Sequence, residues 1–232
     1  MKSTIDEKYE VYEDLQDRCM ALHEKMLTKE IPGDEKYSGI PGFEKYIGVD
    51  MLIGEADWTS FYNTCHSPCH LAFALGLSKH PCIDEMLEHD LEPDELVRQK
   101  VLSGIKILDI GCGHIPTFAR CSRALGADVY TLDKDPADCF YSKKGFFSEE
   151  QKQEERKRHV CLTLIKYGIH AKEAQQILDA TGGNFDLITA SFLDIMGEEL
   201  REIVFPLLKP NGIYFDVNEP YNCRIFDAFR KK

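Results

Sequence analysis

The chain of 232 residues reads as an α/β protein with a doubly wound, mostly parallel sheet and an N-terminal helical extension. Two observations predict this. From Ile105 onward, short β-rich runs alternate with helical segments, the pattern that yields parallel strands joined by right-handed crossovers. Before that point the alternation is missing and the apolar period is helical. Residues 1–100 are therefore expected to form a mainly helical cap or lid, and residues 101–232 the sheet-bearing core.

In the extension, Tyr12, Leu15, Cys19, Leu22 and Met26 recur at spacings of three and four, one face of an amphipathic helix. Ile31, Pro32, Gly33 and Asp34 end it. Up to about Ala56 the chain is rich in Gly, Pro and aromatic residues and reads as a loop with short elements. Helical signals return near His70–Leu77, Asp84–His89 and Asp94–Leu102; Pro93 and the acids Asp94 and Glu95 suit a helix start.

In the core, strand one is expected at 105–110 and strand two at 128–133. Residues 134–158 are charged and turn-rich, then helical. The β-rich run Val160–Ile165 reads either as strand three or as a continuation of the preceding helix. A helix over 171–180 stops at Gly182 and Gly183, strand four is 185–190, a helix covers 198–208, and strand five is 213–217.

Composition narrows the function. The hydrophobic content of 43% is enough for a substantial core, and no apolar run approaches a membrane span. The polar start, Met1–Glu7, does not read as a signal peptide. A formal charge of −12 argues against a general nucleic-acid binder. Nine cysteines, an odd count without an export signal, point to free thiols in a reducing compartment, and a cytoplasmic location is expected. Cys65, His66, Cys69, His70, His80 and Cys82 offer zinc-type side chains, but their spacing matches no standard finger or ribbon. No metal is expected there; a helix-flanking loop with buried thiols is the plainer reading.

The most informative segment joins strand one to the next helix. Asp109 closes the first apolar run, Gly111 and Gly113 follow, and Asp133 ends the second strand, the layout of a nucleotide-binding βαβ unit. Gly111 is free to take positive φ, and Gly113 lets backbone approach a ligand. The helix that begins at Pro116 or Thr117 turns its N-terminal N–H groups toward whatever lies over the turn. Asp133 is placed to accept two hydrogen bonds from ribose hydroxyls. A dinucleotide site calls for a third glycine where Pro116 stands, and it gains nothing from Asp109 beside a pyrophosphate. A cationic ligand without phosphate suits that acid.

The run Leu108–Gly113 closely resembles the first motif of class I methyltransferases that use S-adenosylmethionine (SAM). Asn184–Ile188 followed by Ser191–Asp194 resembles the family's fourth-strand motif, and Leu207–Ile213 its turn into strand five. The resemblance spans roughly 101–217 and implies a Rossmann-like core with SAM as cofactor. It implies that Asp109, Gly111, Cys112 and Gly113 line the methionine end, with Cys112 a small filler rather than a nucleophile. Asp133 would bind the ribose with Lys134 beside it, and Ser191, Phe192 and Leu193 would face the cofactor and the transferring methyl. The acceptor is not legible. A small-molecule acceptor is favoured over nucleic acid, and candidates for a base or substrate contact are Asp194, His114 and Tyr221. Trp58, Phe61 and Tyr62, with Tyr46, would wall a pocket under a lid or sit in a core.

The sequence departs from the family in three places. Ile115 stands where many members have glycine. The acid expected after strand three is not evident, and His170 occupies its place. Fifteen residues follow Val217, which leaves no room for the usual antiparallel strands six and seven. The sheet is therefore expected to lack its last two strands, with the chain truncated or the bare edge covered by the N-terminal region or a second copy in a homo-oligomer. These departures keep an alternative open, a non-catalytic methyltransferase-like module that binds SAM or another nucleoside.

Overall fold

The computed structural model describes residues 9–11, 16–27, 43, 46, 58–89, 92–113, 116–136, 148–164, 170–190, 198–217 and 226–232. In chain order the elements are β1 (Tyr9–Val11), α1 (Gln16–Leu27), α2 (Trp58–Leu77), α3 (Pro81–Glu88), α4 (Pro93–Gln99), β2 (Lys106–Ile110), α5 (Thr117–Ala124), β3 (Asp128–Asp133), α6 (Glu149–Arg158), β4 (His159–Cys161), α7 (His170–Thr181), β5 (Phe185–Ala190), α8 (Glu198–Val204), a 3-10 turn (Phe205–Leu207), β6 (Leu208–Val217) and β7 (Phe226–Lys231).

Local chemistry explains several boundaries. Pro81 and Pro93 sit in the first turns of α3 and α4, where a missing N–H costs nothing. His80 caps α3 by accepting the Cys82 amide on Nδ1. Ser148 and Gln151 form a reciprocal capping box on α6. Lys100 ends α4 in the left-handed region, with φ of 49°.

The strands form one sheet in the order β1-β7-β6-β5-β2-β3-β4. β4, β3, β2, β5 and β6 run parallel, and β7 lies antiparallel between β6 and β1. Strand order reverses at β2, whose neighbours are β3 on one side and β5 on the other. A crevice at the carboxyl ends of strands belongs at such a switch point.

Side chains alternate across the sheet and divide the core in two. Ile107, Val129, Leu187, Ile213 and Phe215 face a cluster built by α1 to α5, with Leu22, Phe73, Ile83, Leu96 and Phe118 among its members. Leu108, Ile110, Leu132, Ile188 and Tyr214 face the other cluster, with Ile177 of α7 and Ile203 of α8. Helices on both faces make the sheet doubly wound, as the sequence predicts. The helices before residue 100 share the first cluster with the sheet.

Two expectations are corrected. The sheet does not lack both of its last two strands: Phe226–Lys231 lies antiparallel to β6. Lys231 anchors this return by donating to the carbonyls of Phe205 and Leu208 at 3.0 and 2.6 Å, and the Arg201 guanidinium lies over the Phe229 ring. The edge beyond β7 is taken by β1, with Tyr9 opposite Lys231, so of the covers the sequence left open the N-terminal region supplies it. Finally, Cys65–His70 is helical within α2, which carries Pro68 in its interior, and is not a loop. The ambiguity at 160–165 resolves into a strand of three residues, His159–Cys161, which starts where α6 stops.

Candidate functional site

The carboxyl end of β2 runs into the turn at Gly111–Gly113. Gly111 has φ of +72° and Gly113 of +66°, values that side chains with a Cβ rarely adopt. The Gly111 amide donates to the Leu132 carbonyl at 2.8 Å, extending the β2–β3 ladder into the turn. The Gly113 amide donates to Oδ2 of Asp133 at 3.0 Å. Where a Cβ on Gly113 would stand, no described atom beyond its chain neighbours lies within 4 Å.

Asp133 is half-buried at the end of β3. Its Oδ1 accepts the Asp135 amide at 3.3 Å, so each carboxylate oxygen holds one backbone N–H. A carboxylate oxygen accepts two bonds, and each of these retains one lone pair for a ligand hydroxyl. The following residues are held by β4: the Leu162 amide donates to the Asp133 carbonyl at 2.9 Å, and the Cys161 thiol to that of Lys134 at 3.3 Å. His159 Nε2 lies 2.9 Å from the Asp135 carbonyl and its Nδ1 lies 3.0 Å from Thr131 Oγ1. Burial holds His159 below the ordinary imidazole range, which favours the neutral ring. The Lys134 side chain is exposed.

Asp109 does not face solvent. It is 3% exposed, and its Oδ1 accepts a hydrogen bond from Thr189 Oγ1 at 3.0 Å, across the parallel register that sets the two residues side by side. His70 Nδ1 of α2 stands 3.9 Å from the same oxygen. Burial pushes the Asp109 carboxyl up to about 7, against the pull of the Thr189 hydroxyl and Arg123 and with a smaller push from Asp133. Cys112 is buried, and burial followed by the charges of Asp109, Asp133 and Glu155 raises its thiol well above the ordinary value. That burial disfavours the thiolate of Cys112.

The structure therefore brings Asp109, Gly111, Cys112, Gly113, Asp133 and Lys134 to one end of the sheet. Sequence reasoning missed Thr189, His159 and the link from His70. Thr189 was findable, since alternation along β5 places it beside Asp109; the other two depend on distant packing. Ser191, Phe192, Leu193, Asp194, His114, Ile115 and Tyr221 lie outside the described residues, as do the side chains of Trp58, Phe61, Tyr62 and His170.

Of the zinc-type side chains, those of Cys65 and His66 lie outside the described residues, and the described ones are dispersed. Cys69 Sγ is 3.3 Å from His23 Nε2, His70 faces Asp109, and His80 caps α3. Among the described residues no three His, Cys, Asp or Glu side chains form a group able to hold a metal. No described helix is long and apolar enough to cross a membrane.

Fold and turn together define the class: a doubly wound α/β protein with a glycine turn and a strand-end acid at the switch point of its sheet. No protein-family model matches the chain, and no curated protein matches it. Among solved structures it is similar to the methyltransferase MycE of the mycinamycin biosynthetic pathway, in complex with Mg, SAH and mycinamycin VI, at 15% identity and a TM-score of 0.33, over 53% of this chain and 31% of that one. It is similar to an O-methyltransferase from Bacillus cereus in complex with SAH, at 18% identity and a TM-score of 0.35, over 82% and 96% of the two chains. It is also similar to the T. thermophilus 16S rRNA methyltransferase RsmC in complex with AdoMet and guanosine, at 16% identity and a TM-score of 0.39, over 80% and 45%. The match thus spans less than a third of MycE's length. Likeness at this level assigns neither activity nor substrate to the chain.

Proposed function

We propose that this protein binds SAM over the Gly111–Gly113 turn and transfers its methyl group to an acceptor, favouring a small molecule. The observation that carries the reading is the bracket between Gly113 and Asp133: one carboxylate ties down the turn while keeping a lone pair on each oxygen for a ribose diol. The carboxylate of Asp109 under the same turn suits a ligand that carries an ammonium and no phosphate; a pyrophosphate would meet unfavourable charge there.

In this reading Gly111 and Gly113 admit the methionine end, Asp133 fixes the ribose, and Lys134 flanks it. Ser191, Phe192 and Leu193, which follow β5, line the methyl-transfer side, and Asp194, His114 and Tyr221 are the candidates for a base or acceptor contact. Transfer is an in-line displacement at the sulfonium methyl, in which alignment of nucleophile, carbon and sulfur supplies up to ~7–11 kcal/mol of the barrier. The extension before residue 100 acts as the lid over the acceptor. The reading places the chain in the reducing cytoplasmic compartment expected from the sequence.

Calorimetric titration with SAM, with NAD run alongside, tests the reading. Micromolar binding of SAM with no heat from NAD supports it. Binding of NAD in preference to SAM, or of neither by folded protein, overturns it. Binding of SAM without transfer to any acceptor in a panel of hydroxyl and amine compounds would favour the non-catalytic module.

A further inference from the structure

We propose that His159, where α6 passes into β4, is the positioning residue for the ribose acid: through the Asp135 peptide it fixes the carboxylate of Asp133 in the orientation that braces the glycine turn and receives a ribose. The part that concerns the ligand rests on the SAM-binding reading above; the hold on Asp133 does not.

Geometry carries the inference. The parallel register of β3 and β4 sets His159 beside Thr131. The imidazole bridges two groups of β3 and the turn after it, with Nδ1 3.0 Å from Thr131 Oγ1 and Nε2 2.9 Å from the Asp135 carbonyl. A carbonyl has no hydrogen to give, so Nε2 carries the proton. In the neutral ring, which burial favours, Nδ1 is then the acceptor and the Thr131 hydroxyl the donor. Thr131 is wholly buried, so the orientation of the ring is held from within the protein.

The Asp135 peptide is thereby gripped at both ends. Its carbonyl accepts from His159, and its amide donates to Oδ1 of Asp133 at 3.3 Å. The other oxygen, Oδ2, takes the Gly113 amide, so one chain of hydrogen bonds runs from β4 through Asp133 to the glycine turn. The two carbonyls before Asp135 are also held from this side, that of Asp133 by the Leu162 amide and that of Lys134 by the Cys161 thiol. Those bonds fix the backbone path without the imidazole. The His159 bond adds the peptide whose N–H touches the carboxylate, so replacing the ring should disturb the acid before it disturbs the strand.

The experiment uses the full chain. Long-range proton–nitrogen NMR reads the tautomer of His159 in wild type. SAH affinity and residue-by-residue amide exchange are measured in wild type, His159→Phe and His159→Gln, and in Asp133→Ala with and without His159→Phe. The wild-type ring is expected to be neutral with its proton on Nε2. SAH affinity should fall about tenfold in His159→Phe, which keeps a ring but no donor, and less than about threefold in His159→Gln, whose amide N–H is long enough to reach the same carbonyl. In the Asp133→Ala background the Phe replacement should cost less than about twofold, because its effect runs through that carboxylate. The amides of Asp135 and Gly113 should exchange faster in His159→Phe, while that of Leu108 in β2 is unchanged. A wild-type ring with its proton on Nδ1 alone overturns the proposal whether or not a variant folds. So does undiminished affinity in folded His159→Phe, or an equal loss with and without the Asp133 carboxylate. Wild type that binds no SAH defeats the SAM reading instead, and exchange at Asp135 and Gly113 still decides whether His159 holds Asp133.

Discussion

The amide of Gly113 donates to Oδ2 of Asp133 at 3.0 Å, so the end of β3 holds the turn that leaves β2. This bond makes the acid at once a structural brace and the expected ribose acceptor. Removing it should affect ligand and loop together. For Asp133→Ala, each charge-assisted hydrogen bond lost to the ribose weakens SAM or SAH binding by roughly 1.5–3 kcal/mol. Isothermal calorimetry reads this directly, and unchanged affinity would remove Asp133 from the site.

Backbone strain at the turn can be separated from crowding. Gly113 has φ of +66° with no described atom beyond its chain neighbours within 4 Å of where a Cβ would stand, so Gly113→Ala costs mainly the left-handed strain of roughly 1–2 kcal/mol. At Gly126 φ is +98° and a Cβ would meet the Lys100 Cβ at 2.9 Å, so Gly126→Ala should destabilise more. Urea midpoints of the two variants test the order, and equal midpoints would contradict it.

Stability should fall as pH rises through neutrality. The Asp109 carboxyl titrates at about 7 in the folded chain because burial penalises its charge, against an ordinary value of about 3.8. Its protonated form therefore favours folding. That contribution is complete below about pH 4 and lost as pH rises through about 7, a change on the order of a few kcal/mol. Asp109→Asn should lack the loss: its stability relative to wild type should be greater at pH 8 than at pH 5. Urea unfolding at both pH values checks the sign.

Glu155 of α6 is a buried acid held between two arginines of α5, Arg120 at 3.4 Å and Arg123 at 2.7 Å. Replacing it with Gln removes the carboxylate that both guanidinium groups share. Breaking one side of a buried ion set in this way typically costs about 3–5 kcal/mol. A shift in the urea midpoint of less than 1 kcal/mol equivalent would show that solvent reaches the cluster.

The limits of the strands around the site follow from local pattern. Lys106–Ile110, Asp128–Asp133 and Phe185–Ala190 are short β-rich runs bounded by glycine, asparagine or charged turns, and they fall within a residue of where the sequence puts them. The conformations of Gly111 and Gly113 are legible for the same reason, since tight turns with positive φ select residues without a Cβ. Strand three was ambiguous because three residues of strand abutting a charged helix carry too few periods to separate the two patterns.

What the sequence by itself determined is the βαβ unit, its glycine turn and the acids at its ends, because backbone sterics and the alternation of buried positions act over a few neighbouring residues. The tertiary structure alone decided the rest. It returned Phe226–Lys231 beside β6, set Tyr9–Val11 on the far edge, and brought His70 of α2 against Asp109 of β2. Those pairings join residues far apart along the chain, and they are fixed by unpaired strand edges and shared apolar surface, which no local window of sequence contains.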